Sequence, residues 1–232
     1  MQYIIFFLFI FISLPIFAFQ VQPMVSEIQP IGSQSQQTIR VLNNSDKPLT
    51  VEISAFDLLV NGNGQEELRP NEDDFLIIPL TTIIPEGKTQ SVIIRYIGEP
   101  ILPKSKAYRI AINQVRVDLG ELDGSGVGMA LSFKTLLNVV PKDAKAKLVI
   151  KNKEQFDKNT WKVSLDNKGN KFIRLSQAKW VVKSKDQVFI LEGQKLSSAL
   201  DGKFLLPNSS SEVLIKIPSE FNAKTSDLEV VL

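Results

Sequence analysis

Residues 75–97 read FLIIPLTTIIPEGKTQSVIIRYI, and this stretch decides the fold. Its apolar runs, 75–80, 81–87 and 89–97, are rich in Ile, Val, Phe and Thr and are broken by Pro79 and the Pro85-Glu86-Gly87 turn. Runs of that length and composition between turn residues read as β-strands. A proline cannot donate to a strand ladder, so Pro79 and Pro85 mark edges and turns. Upstream, QQTIRVLNN (36–44) and LTVEISAFDLLV (49–60) repeat the pattern, followed by Asn61-Gly62 and Asn63-Gly64. Asn-Gly is the favoured pair where a tight turn needs positive φ. Downstream, AYRIAINQVRV (107–117) and GMALSFKTLLNVV (128–140) continue it. No apolar helical period is sustained over three turns.

Pro141 to Ala146, PKDAKA, reads as a linker. Beyond it strand-like runs resume at 146–152, 160–167, 171–183, 187–196, 203–207, 211–218 and 228–232. Many short strands between turn signals suggest a small β-sandwich, and the first half holds a similar set. The expected architecture is all-β, two immunoglobulin-like β-sandwich domains in tandem, spanning 19–141 and 142–232.

Residues 3–18, YIIFFLFIFISLPIFA, form an apolar run interrupted only by Ser13 and Pro15. It is slightly short of the roughly 20 residues needed to cross a bilayer, and a small residue at Ala18 suits signal-peptidase cleavage. Residues 1–18 read as a secretory signal peptide, with an uncleaved anchor as the alternative. Cleavage would leave 214 of the 232 residues, with no second run long enough to span a membrane. The net charge of +2 gives no electrostatic footprint for nucleic acid or an anionic membrane surface. The chain holds neither Cys nor His. Its stability therefore rests on its core and not on disulfides. Thiolate or imidazole metal sites and the usual nucleophile–base pairs are also excluded. No cofactor, metal or catalytic residue is expected, and the chain does not read as an enzyme.

The first half has an order of motifs that resembles the periplasmic pilus-assembly chaperones, the PapD-like proteins, over essentially the whole mature chain. The pieces are Asn43 with Pro48 at a strand turn, Phe75 to Pro79, the 85–87 turn, Gln90 to Arg95, Tyr108-Arg109, and a long strand ending in Val139-Val140-Pro141. The AYR and NVVP forms look nearer the archaic branch of that family. The resemblance implies a periplasmic chaperone that binds pilus or fimbrial subunits and delivers them to an outer-membrane usher.

In the strand at 127–140, Val127, Met129, Leu131 and Phe133 alternate with Gly128, Ala130, Ser132 and Lys134. A period of two puts the four large side chains on one face. Such a face either lines the protein's own core or is offered to a partner. The resemblance implies the second: a donor strand added to the edge of an incomplete subunit, a form of β-augmentation. Each of the four residues would then contribute about 1.5–3 kcal/mol on burial. Exposed in the free protein, they would need covering by dimerisation or by the preceding loop, 118–126. That loop is glycine-rich but lacks any phosphate-binding motif.

The resemblance also implies two cations in the cleft between domains that hold the subunit's C-terminal carboxylate. The first strand, FQVQPMVSEIQPIG, has none, and in the last strand the matching position is Leu136. Lys134 shares its side-chain parity and is the candidate anchor, or else an ordinary exposed lysine. Arg95 would form an inter-domain ion pair, but the acidic position falls near Ser105, beside Lys104 and Lys106. Otherwise Arg95 is an exposed residue of a half-buried strand. Asn43-Asn44-Ser45 and Asn208-Ser209-Ser210 fit a glycosylation sequon but read as turns. The competing class is a secreted structural or adhesive β-sandwich protein, and two full strand sets argue against a single incomplete pilin sandwich. A polysaccharide-binding module would call for more exposed aromatics than Trp161, Trp180 and three Tyr supply. Mass spectrometry of the exported protein is expected to show a chain starting near Phe19; a product that still starts at Met1 would refute cleavage.

Overall fold

The computed structural model describes residues 19–60, 65–115, 130–185, 187–200 and 202–232. The 1–18 segment, both Asn-Gly pairs, the 118–126 loop, Val127 and Met129 lie outside the described residues. In chain order the first half forms β1 (Gln20–Gln22), β2 (Val25–Ile28), β3 (Gln36–Leu42), β4 (Leu49–Val60) and β5 (Glu66–Pro70). It continues with β6 (Phe75–Ile78), β7 (Thr81–Ile84), β8 (Thr89–Tyr96), β9 (Lys106–Val115) and β10 (Ser132–Val139). One sheet runs β1-β3-β8-β6, and the other runs β2-β10-β9-β4-β5 with β7 also paired to β4.

The two faces of β8 show why these segments fold as a sandwich. Val92, Ile94 and Tyr96 are buried, whereas Ser91, Ile93 and Arg95 are exposed, so one face of the strand enters the core. They pack in one cluster with Val51, Ile53, Ile110 and Ile112 of the opposing sheet. Phe75 meets the rings of Tyr108 and Tyr96 edge-on at 4.7 and 5.6 Å. The Tyr108 hydroxyl donates to Asp74 Oδ2 at 2.7 Å, and burial raises its phenol pKa well above the ordinary range. At the turn after β7, Gly87 takes φ +63°, and the Lys88 N–H donates to the Pro85 carbonyl at 3.2 Å. Only glycine adopts that backbone without a Cβ penalty.

The first strand is split at Pro23, which lies between β1 and β2. β1 pairs antiparallel with β3, while β2 pairs parallel with β10, so the chain changes sheets at this proline.

The second half forms β11 (Leu148–Asp157), β12 (Thr160–Asn167), β13 (Ile173–Arg174) and a 3-10 turn (Leu175–Gln177). After these come β14 (Lys179–Ser184), β15 (Gln187–Leu191), α1 (Gly193–Ala199), β16 (Phe204–Leu205), β17 (Ser210–Lys216) and β18 (Asp227–Val231). Sheets β11-β12-β17 and β15-β14-β18 enclose a core that includes Trp161 and Trp180, with β13-β16 as a short ribbon. No described strand pairing crosses residues 140–147. The all-β fold with two immunoglobulin-like sandwiches is therefore observed.

Two expectations are corrected. The run 187–196 is not one strand: β15 ends at Leu191, and Gly193, at φ +61°, opens α1. Leu196 and Leu200 lie one helical turn apart and are both buried, too short a pattern to stand out in the sequence. The run 171–183 is divided by the 3-10 turn, which buries Leu175 in the second core.

Each sandwich contains one buried asparagine that joins several loops. Asn43 Nδ2 donates to the carbonyls of Lys47, Ile84 and Pro85 at 2.8, 3.0 and 3.2 Å. Asn43 Oδ1 accepts from the Ser45 N–H and hydroxyl at 3.0 and 2.6 Å. Asn167 does the same in the second half, donating to Lys171, Leu205 and Leu206 carbonyls and accepting from Gly169. Leaving buried backbone groups unpaired costs about 1–3 kcal/mol. Asn43→Ala is therefore expected to lower unfolding stability by about 2–3 kcal/mol in urea titrations, with the slope unchanged; a loss within error would show that the turn holds itself.

Candidate functional site

The site is an unfinished sheet edge on β10. β9 pairs with β10 along its whole length, from Ser132↔Asn113 to Val139↔Lys106. On the other side β2 pairs only with Leu136 to Val139. Among the described residues, the Ser132–Thr135 part of β10 has no strand on that side.

The direction of the backbone groups follows from three bonds. The Leu136 N–H donates to the Met24 carbonyl and the Val140 N–H to the Ile28 carbonyl, each at 2.8 Å, whereas the Leu131 carbonyl accepts from Gln114 at 2.9 Å. Groups on alternate residues of a strand point to opposite sides. The even-numbered residues therefore face β2, and the N–H and C=O of Ser132 and Lys134 face the open side. Among the described residues these two donors and two acceptors, in ladder spacing, meet no strand.

The side chains follow the same period. Leu131 and Phe133 turn to the core, half-buried against the first-half cluster. The Phe133 ring meets Phe19 edge-on at 4.7 Å. Two of the four expected donor residues thus already lean on the protein's own core, and the other two, Val127 and Met129, fall outside the described residues. Ser132 and Lys134 are exposed on the opposite face. At Leu136 and Asn138 that outer face is buried. Leu136 packs with Leu58 and Ala107, and with the half-buried Val25, Leu68, Phe204 and Leu206.

The position matched to a family cation is thus a leucine in an apolar contact between the halves. Lys134 lies two residues further out, its ammonium in solvent. The cross-strand partner of Leu136 on β9 is Arg109. Its guanidinium pairs with Glu66 on β5 and lies 5.9 Å from the centre of the Phe204 ring. Sequence reasoning passed over Arg109 as a site residue because Glu66 and Phe204 lie far from it in the chain. Arg95 is exposed on β8 between Gln36 and Leu76, and no ion pair to it occurs among the described residues. Ser105, at the expected acidic position, is buried and hydrogen-bonded to the 170–172 loop.

No group of three or more acidic residues able to hold a metal ion occurs among the described residues. No described helix is long and apolar enough to cross a membrane.

Solved structures of fimbrial chaperones share this fold over nearly the whole chain. The class 5 fimbriae chaperone CfaA superposes with a TM-score of 0.57 at 14% identity, covering 93% of this chain and 99% of its own. The CsuC-CsuE chaperone–tip adhesion subunit complex from the archaic Csu pili of Acinetobacter baumannii gives 0.57 at 14% identity, covering 92% and 97%. The Salmonella enterica SafA pilin in complex with the SafB chaperone gives 0.55 at 12% identity, covering 95% and 99%. No family model and no curated protein sequence matches.

The unequal settings of Phe133 and Lys134 can be measured. An edge-to-face aromatic pair adds about 0.5–1.5 kcal/mol beyond the area it buries. Phe133→Ala is expected to lower stability by about 1–3 kcal/mol, and Lys134→Ala to change it by less than about 0.5 kcal/mol, both by urea denaturation. Equal effects would contradict the packing of Phe133 on Phe19.

Proposed function

We propose that this protein is a periplasmic chaperone of the chaperone-usher type, which binds a pilus or fimbrial subunit by completing the open edge of β10. The observation that carries this reading is the direction of the Ser132 and Lys134 backbone groups. An edge with free donors and acceptors is a template for another strand, and strand addition draws its affinity from those main-chain bonds. Leu131 and Phe133, with Val127 and Met129 before them, give the added strand an apolar side that continues into the core of the first sandwich. A subunit lacking one strand would find both its missing ladder and its missing apolar row there.

The likeness in fold to fimbrial chaperones, some solved with a pilin or a tip subunit, supports this choice of partner. The same reading takes residues 1–18 as a cleaved leader and 19–141 as the subunit-binding domain. Residues 142–232 form the second domain, and an outer-membrane usher receives the loaded complex. The protein acts by binding and not by catalysis. In the free state the apolar row is covered by self-association or by the 118–126 loop.

Anchoring of the client carboxylate at the matched cation position is not part of this reading, because Leu136 fills that position. Lys134 remains the candidate cation, and one pair of variants separates its charge from its backbone. Proline is tolerated on an edge strand where its missing N–H faces outward. Lys134→Pro removes an outward donor without breaking a β9 bond. It is expected to fold and to lose co-expressed subunit at least tenfold, while Lys134→Ala retains the subunit. Leu131→Glu, which places an unpaired charge in the apolar contact at a cost of several kcal/mol, is expected to match Lys134→Pro. Full subunit recovery with Lys134→Pro would remove the β10 edge from the mechanism, and a loss with Lys134→Ala would assign the anchor to the lysine charge.

A further inference from the structure

The two sandwiches meet at the apolar cluster around Leu136 and, separately, at Ser105. Ser105 is only 4% exposed, although Lys104 and Lys106 flank it. Its N–H donates to the Asn170 carbonyl at 2.8 Å, and its Oγ accepts from the Phe172 N–H at 2.9 Å. Asn170 extends this contact to the linker. Its Nδ2 donates to the Pro103 carbonyl at 3.3 Å, its Oδ1 accepts from the Lys145 N–H at 2.7 Å, and its own N–H donates to the Lys145 carbonyl at 3.0 Å. The segment before β9, the linker and the loop after β12 are therefore joined at one point.

None of these bonds involves a charged group. Among the described residues one ion pair joins the halves, Lys171 Nζ to Glu27 Oε2 at 3.1 Å, with side chains 35% and 42% exposed. Pairs so open to solvent are weak and weaken further in salt. Ser105 lies under cover, where a lost partner leaves the Phe172 N–H unpaired.

We infer that Ser105 is the positioning residue that sets the angle between the two sandwiches, through uncharged hydrogen bonds to the 170–172 loop, so that the angle is independent of ionic strength. This inference does not depend on what binds at β10.

The natural chain has no Cys, so spin labels can be placed on cysteines introduced at Ser91→Cys on β8 and Lys216→Cys on β17 without further changes. Their distance distribution, read by pulsed electron resonance, is expected to stay equally narrow in dilute buffer and in about 1 M NaCl, where charges are screened beyond a few ångströms. Ser105→Ala is expected to at least double its width in both, with the circular dichroism of both halves retained. Ser105→Thr, which keeps the hydroxyl, restores the narrow distribution, and Lys171→Met leaves it narrow. The inference is overturned if Ser105→Ala keeps the narrow distribution, or if salt or Lys171→Met widens it as far as Ser105→Ala does. Should Ser105→Ala fail to fold, Asn170→Ala, at an exposed position, must widen the distribution, and a narrow one overturns the inference.

Discussion

Among the described residues, β10 is bonded on one side for its whole length and on the other for half of it, and this asymmetry governs the first half of the molecule. The parallel pairing of Val25 to Ile28 with Leu136 to Val139 closes the sheet near the linker. It ends at the bond from Leu136 to Met24, because Pro23 lies just before it and the chain there crosses to the other sheet. Had the first strand run straight on, it would have covered Ser132 to Thr135 as well. The crossing therefore does two things: it ties the sheets together at Phe19 and Val21, both buried in the shared core, and it leaves an edge uncovered.

The second sandwich sits where the edge stops being free. The outer face of β10 passes from solvent at Ser132 and Lys134 to an apolar contact at Leu136, closed by Phe204 and Leu206 from the other half. Arg109 bridges the same boundary, paired to Glu66 and stacked near Phe204. The contact is thus apolar at its centre, with the Arg109 guanidinium over the Phe204 ring beside it. Burying Leu136 against Phe204 needs no matching charge, whereas a cation at 136 would have to be desolvated there.

Much of this was legible in the sequence because it is local. The runs around 75–97 form β6, β7 and β8 within three residues of their expected limits, since Pro79, Pro85 and Gly87 interrupt the ladder by their own covalent structure. The alternation at Leu131 and Phe133 likewise placed them on one face, because a strand has a period of two whatever it packs against. What it could not decide was whether that face meets the protein's own core, and the Phe19 ring supplies part of the answer from over a hundred residues away. α1 was missed because seven residues hold barely two turns of periodicity. Arg109 and Ser105 were missed as contacts for a different reason. Their partners lie in β5, β16 and the 170–172 loop, and pairings at such separations leave no spacing to read.

The β2–β10 pairing also has a kinetic meaning. It joins residues more than a hundred positions apart, the longest closure among the strand pairings of the first half. Loop-closure entropy rises only slowly with length, but folds rich in distant pairings form slowly. A chain that emerges from its N-terminus can assemble β3, β4, β6 and β8 while β2 still waits for a partner not yet present. Until that partner docks, an intermediate holding β10 against β9 alone would show twice the unpaired edge of the finished protein. The native fold shortens that sticky border to one half-strand, and the last pairing to close decides how long the wider one persists.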